Sequence, residues 1–128
     1  MSQTNELEIM ERIALDLEGV EESLASSFNT GAEDFNALIR PLSAAGGKRL
    51  RAQLCLLIAN AGTSVERQRI RIAEAVEMLH LATLIHDDVL DQAEIRRGED
   101  TIHMHKGNKV AILSGDYLFA KAFQIVSE

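Results

Sequence analysis

The chain is constrained most by one stretch. From Ile72 to Leu90 apolar residues continue almost unbroken, and the run closes on His80-Leu81-Ala82-Thr83-Leu84-Ile85-His86-Asp87-Asp88-Val89-Leu90-Asp91. The pattern predicts the end of a long helix. At ~100° per residue, His80, Asp87 and Asp91 then fall within roughly 40° of one another. Two carboxylates one turn apart, on a helix apolar nearly all round, repel each other unless a positive group lies between them. A hard divalent cation suits that place, because Mg²⁺ takes oxygen ligands and is usually held by one or two carboxylates plus substrate phosphates. The plainer reading is a solvated acidic helix end. It carries its own cost, since aspartates at a helix C-terminus oppose the helix dipole.

Composition supports a helical product. The 128 residues suffice for one small domain, and a single proline with 4% aromatic residues disfavours a sheet-rich fold. Hydrophobic content of 46% with mean hydropathy near zero fits a globular chain. The longest uninterrupted apolar run, Leu54 to Ala59, is far short of a membrane span, so no stable membrane insertion is expected. The first residues, Met1-Ser2-Gln3-Thr4-Asn5-Glu6, lack the basic and apolar regions of a secretory signal. The one cysteine, Cys55, permits no internal disulfide, and a cytoplasmic location is the expectation.

Charge is unevenly placed. Residues 1–47 hold nine acids against Arg12 and Arg40, which accounts for the whole net charge of −7. Residues 48–128 balance eleven acids with eleven bases. Those bases are bunched as Lys48, Arg49 and Arg51; as Arg67, Arg69 and Arg71; and as Arg96 and Arg97. Bunching beside aspartates suits an anionic ligand bridged by metal, whereas a nucleic-acid surface wants a basic excess.

Five helices are expected. The first spans 5–28, with Asn5 as N-cap and Leu7, Ile9, Ile13, Leu17, Val20 and Leu24 at helical spacing. The second covers about 32–45, opened by a capping box of Thr30 and Glu33 and kinked or split by Pro41 near Ile39. After Gly46-Gly47, Lys48-Arg49-Leu50-Arg51 opens a third that runs to about Asn60, with Leu50, Leu54, Leu57 and Ile58 as its core. Gly62 stops it. Thr63 with Glu66 suggests a capping box for the fourth, from about Val65 to Leu90. Residues 91–106 read as a loop, and the fifth helix runs from Asn108 to the end. An all-α antiparallel bundle follows.

Lys48 and Arg51 are three apart, on one helix face, just after two glycines. Helix-start N–H groups with two cations make an anion site, though a solvated basic turn is the alternative. Arg96 and Arg97 could hold phosphate bidentately or could merely neutralise Asp87, Asp88 and Asp91. His80 is either a satisfied core histidine or a ligand. With Glu77 it forms Glu-x-x-His, as a di-iron bundle uses, but the only mimic on another segment, Asp100-x-x-His103, lies in the loop. His103 and His105 lack suitably spaced partners. Asp116 is a polar intrusion in an apolar helix, either a buried hydrogen-bonding residue or a pocket wall.

Taken in order, Gly-Gly-Lys-Arg-Leu-Arg, then His-x₅-His-Asp-Asp-x-x-Asp, then Arg-Arg-Gly, then Gly-Asp-Tyr-Leu resembles the trans-polyprenyl diphosphate synthases over about residues 38–126. The resemblance implies the N-terminal part of an isoprenoid-synthase-type fold. It implies an enzyme that joins isopentenyl diphosphate to an allylic diphosphate. Asp87 and Asp91 would ligate Mg²⁺ on the allylic diphosphate with Asp88 in support, Arg96 would hold that diphosphate, and Lys48, Arg51, His80 and Arg97 would hold that of isopentenyl diphosphate. Ala82 and Thr83 stand where a tunnel-blocking aromatic shortens the product, so a medium- or long-chain synthase is implied. Ala52 and Asp100 depart from the family's usual prolines. The family's second aspartate-rich motif has no counterpart after Asp91, so the expectation is one part of a longer enzyme, inactive alone. The alternatives are a non-catalytic subunit of a heterodimeric synthase and a generic metal-binding bundle. Apolar faces left open favour a homodimer or other self-association.

Overall fold

The computed structural model describes residues 3–44, 47–96 and 98–128. The long apolar run becomes α4, Glu66–Leu90, and the rest of the chain is arranged about it. Before it come α1 (Gln3–Ser27), α2 (Glu33–Ala44) and α3 (Leu50–Asn60). After it a two-stranded hairpin, β1 (Ile95–Arg96) and β2 (Glu99–Asp100), leads through the short α5 (Ile102–Lys106) to α6 (Asn108–Ser127). Helix α4 packs most extensively on α6 and then on α1 and α3. The core is where they meet: Val20 and Leu24 of α1, Leu56 of α3, Met78, Ala82 and Ile85 of α4, and Leu118 and Ile125 of α6 are all buried. The architecture is the all-α bundle expected.

The uneven charge has a structural cause. Two acids of α1, Asp16 and Glu21, pair with arginines further along the chain. Arg69 of α4 donates to Asp16 at 2.9 and 3.3 Å, and Asn60 adds a bond at 3.2 Å. That hydrogen bonding pushes the Arg69 guanidinium above its ordinary pKa. The wholly buried Glu74 takes hydroxyl hydrogen bonds from Ser23 and Ser27 and a 2.8 Å ion pair from Arg71. Two members of one basic bunch are thus spent on holding α1 to α4 rather than on a ligand.

Several sequence expectations are corrected. Asn5 lies inside α1 rather than at its N-cap. Helix α2 is not split at Pro41. Its entry is closed by Asn36, not Glu33: Asn36 Oδ1 accepts from the Thr30 amide and hydroxyl at 3.1 and 2.7 Å, and Asn36 Nδ2 returns a bond to the Thr30 carbonyl at 2.9 Å. A buried amide can satisfy both ends of that turn, which an exposed glutamate has no reason to do. Helix α4 begins without a side-chain cap, so Thr63 and Glu66 form no capping box. Residues 91–106 carry the hairpin and α5 instead of a loop.

The largest correction concerns α3. Leu50, Leu54, Leu57 and Ile58 are 50–67% exposed, and the packed side is Ala52 and Leu56 with Cys55 half-buried beside them. Helix α3 is apolar nearly all round, so periodicity could not choose its inner side, and the smaller side chains give α1 and α4 the closer approach. Partial burial raises the Cys55 thiol pKa. Counting uninterrupted runs also passes over α6, which is, among the described residues, the one helix long and apolar enough to cross a membrane by length and composition. Its Ala111, Ser114, Gly115, Leu118, Ala122 and Ile125 are buried within the bundle.

Candidate functional site

The carboxylates that end α4 separate into two kinds. Asp87 and Asp91 are exposed, and among the described residues none forms an ion pair with them. Asp91 sits just past the helix, but its N–H still donates to the Asp87 carbonyl at 2.8 Å, so the two stay one turn apart. Asp88 is buried and receives Arg96 from β1. Arg96 Nε lies 3.0 and 2.9 Å from its two oxygens and Nη2 lies 2.6 Å from Oδ1. This side-on pairing leaves Nη1 outside the pair. The hydrogen bonds to Asp88 hold the Arg96 pKa above its ordinary value, against the opposing effect of burial.

The hairpin delivers Arg96. Gly98 takes φ 81°, a left-handed conformation that suits glycine, between the paired residues Arg96 and Glu99. The segment is stapled to the helix end. The Ala93 N–H donates to the Asp88 carbonyl at 2.9 Å, and the buried Thr101 hydroxyl donates to the Ala93 carbonyl at 2.9 Å. A His103 ring nitrogen meets that same carbonyl. His103 therefore serves the loop's own fold. Arg97 and the side chain of His105 lie outside the described residues.

One residue before Asp87, His86 wedges between α4 and α6. Its Nε2 lies 3.0 Å from the Ile112 carbonyl, so that nitrogen carries the proton and donates. Asp116 Oδ1 is 3.3 Å away. Asp116 is thus a mostly exposed partner of His86 rather than a buried residue. The ring lies where a Cβ on Gly115 would stand, 2.2 Å from Nε2, so glycine is required for this approach.

The basic turn differs from expectation. Helix α3 starts at Leu50, so Lys48 stands in the turn before it rather than on a shared helix face with Arg51. Both are exposed. Arg49 between them turns inward, its side chain 10% exposed, to Glu21 at 2.6 Å, the Ser43 carbonyl at 2.7 Å and Glu77 at 3.7 Å. Glu77 Oε1 also accepts the Ala52 N–H at 3.0 Å, which sets the start of α3 against the middle of α4. Glu77 is ten residues before Asp87, so the basic turn and the aspartates are separated by about 15 Å along the α4 axis. Half-buried His80 lies between them, one turn after Glu77.

Helical geometry sorts these residues into two stripes. Glu77 and Asp88 are eleven residues apart and fall within ~20° of each other, while His80, Asp87 and Asp91 form a neighbouring stripe roughly 70° away. The first stripe is buried and paired with arginines, and the second ends in open oxygens. Among the described residues no group of three or more His, Cys, Asp or Glu is gathered to hold a metal ion. Two open carboxylates one turn apart still match the donor set of Mg²⁺ when phosphate supplies the remaining oxygens. The sequence reading missed Arg49 and Glu77. A trace of their role was present, since Glu77 shares its face with Asp88.

The helical bundle is similar to solved structures of isoprenyl synthases. A polyprenyl synthase from Caulobacter crescentus CB15, complexed with calcium and isoprenyl diphosphate, superimposes with a TM-score of 0.84 at 36% identity, covering 91% of this chain and 37% of that one. Residues 32–128 match the family profile described as polyprenyl synthetase, and the chain belongs to that family. Octaprenyl diphosphate synthase of Escherichia coli (strain K12) is 34% identical over 119 residues, 93% of this chain and 37% of that protein. Heptaprenyl diphosphate synthase component 2 of Geobacillus stearothermophilus is 40% identical over 114 residues, 88% and 35% respectively. The chain therefore spans about a third of the length of the relatives it matches.

Proposed function

We propose that this chain carries the allylic-diphosphate end and part of the isopentenyl-diphosphate end of a prenyltransferase active site, in an enzyme making medium- or long-chain products. The observation that carries the reading is the division at the end of α4. Asp87 and Asp91 stand open while Asp88 is buried and engaged by Arg96.

Each residue has a task. Asp87 and Asp91 would hold Mg²⁺, which when bound supplies positive charge to a leaving diphosphate. Arg96, already oriented by Asp88, presents Nη1 to the same diphosphate. Charge on that group grows as the allylic C–O bond breaks, so a fixed guanidinium stabilises the transition state more than the ground state. Lys48, Arg51, His80 and Arg97 are assigned to the second diphosphate. Ala82 and Thr83 leave room for a long product, and a fifteen-carbon product alone from the whole enzyme would contradict that part.

A second reading, association with another subunit, is supported by the likeness to a protein named component 2. The exposed leucines of α3 give such a partner, or a second copy, an apolar face to cover.

Calorimetry tests the site. Mg²⁺ titrated into the chain should give little heat alone and saturable binding in the presence of inorganic pyrophosphate or an allylic diphosphate. Mg²⁺ binding of equal strength without diphosphate would point to a generic metal-binding bundle instead. The chain holds one aspartate-rich motif, so no prenyl transfer is expected from it alone.

A further inference from the structure

We propose that Glu77 is a positioning residue for the basic turn, holding Lys48 and Arg51 in place from inside the bundle. The inference rests on the diphosphate reading above and deepens it for the isopentenyl diphosphate end.

A carboxylate buried in an apolar helix pair is costly unless it is matched. Glu77, 4% exposed, is matched by two groups, and both belong to the segment 49–52. The first is the Ala52 N–H. Ala52 is the third residue of α3, so its N–H is one of those a helix start leaves without an intrahelical partner. Such groups are usually capped by the residue just before the helix. Here that residue is Arg49, which gives no side-chain cap, and the acceptor comes instead from a helix 25 residues further on.

The second group is Arg49 itself. Its backbone is left-handed, φ 54° and ψ 42°. That conformation is unfavourable for a non-glycine residue. It persists where the surroundings over-determine it. Glu21, Ser43 and Glu77 do so by holding the guanidinium from three sides. The left-handed residue turns the chain between Lys48 and Arg51. Of three cations in four residues, the inner one anchors and the outer two remain exposed.

A consequence follows for anion binding. One helix-start N–H of α3 is already taken by the protein's own carboxylate, so the Lys48 and Arg51 side chains carry more of the contact with an anion at this turn. Their placement depends on the anchor. Glu77→Gln keeps the volume and the acceptor for Ala52 but removes the buried one of the two carboxylate charges that Arg49 faces.

The test titrates isopentenyl diphosphate, and separately an allylic diphosphate with Mg²⁺, into the wild-type chain and into Glu77→Gln, Lys48→Ala and the double variant. Glu77→Gln should weaken isopentenyl diphosphate binding about tenfold, the effect of ~1.4 kcal/mol. Allylic diphosphate binding should change by less than about twofold, because Asp87, Asp91 and Arg96 are held independently. In the Lys48→Ala background Glu77→Gln should cost less than in the wild type, as expected of a residue that acts through the turn. Should Glu77→Gln not fold, Arg49→Lys takes its place with the same expected selectivity. Unchanged isopentenyl diphosphate affinity, or an equal loss for both ligands, overturns the proposal. A wild-type chain that binds neither diphosphate overturns the functional reading, and the proposal falls with it.

Discussion

Helix α4 carries two sets of carboxylates, and the difference between them is instructive. Glu74, Glu77 and Asp88 are buried, and each is met by an arginine: Arg71, Arg49 and Arg96. Asp87 and Asp91 stand exposed within the same helix end and have no such partner among the described residues. Asp88 shares residue type and sequence neighbourhood with Asp87 and Asp91, so position on the helix decides. A carboxylate on the inward side must be paired or it destabilises the bundle. One on the outward side stays solvated, and its mutual repulsion is tolerated until a cation arrives.

If that contrast is right, the sets respond oppositely to substitution. The largest effect should come at Glu74. Arg71→Met leaves a wholly buried carboxylate with only the Ser23 and Ser27 hydroxyls, and we expect the chain to lose about 3 kcal/mol in urea denaturation. A loss under half that size would mean water reaches Glu74 and the two sets differ less than their burial suggests. Asp88 should follow. Asp88→Ala frees Arg96, which is partly exposed and can turn to solvent, so about 2 kcal/mol is expected. The same variant should also weaken allylic diphosphate binding, because the hairpin no longer fixes the guanidinium.

Much of this contrast was present in the sequence, but not all of it. The length of α4, its end at Leu90 and the shared face of His80, Asp87 and Asp91 follow from apolar spacing, and the structure has the same helix. Which cations serve a ligand did not follow. Lys48, Arg49 and Arg51 are chemically alike on paper, and only the placement of Glu21 and Glu77 by other helices singles out Arg49. The same limit applies to Arg69 and Arg71, whose partners Asp16 and Glu74 are identified by packing. Helix α3 was misread because an all-apolar surface offers no phase. The hairpin was missed because two-residue strands carry no alternation to detect. Asp88 could have been separated from Asp87, since it lies ~100° round the helix, on the side already occupied by Glu77.

The smallest change in stability, and the sharpest division from the buried set, should come at the open pair. Asp87→Asn or Asp91→Asn removes one of two like charges a turn apart and relieves an unfavourable helix-dipole contact. Neither residue has an ion pair to lose among the described residues. We therefore expect each variant to denature within about 0.5 kcal/mol of the wild type, with the sign toward greater stability. Mg²⁺-dependent binding of the allylic diphosphate should nonetheless fall at least about tenfold in calorimetry. Exposed oxygens that contribute little to the fold and much to a metal-bridged ligand are what the outward stripe requires. A clear loss of stability at Asp87 or Asp91 would return them to the structural set, and the division along α4 would no longer mark a site.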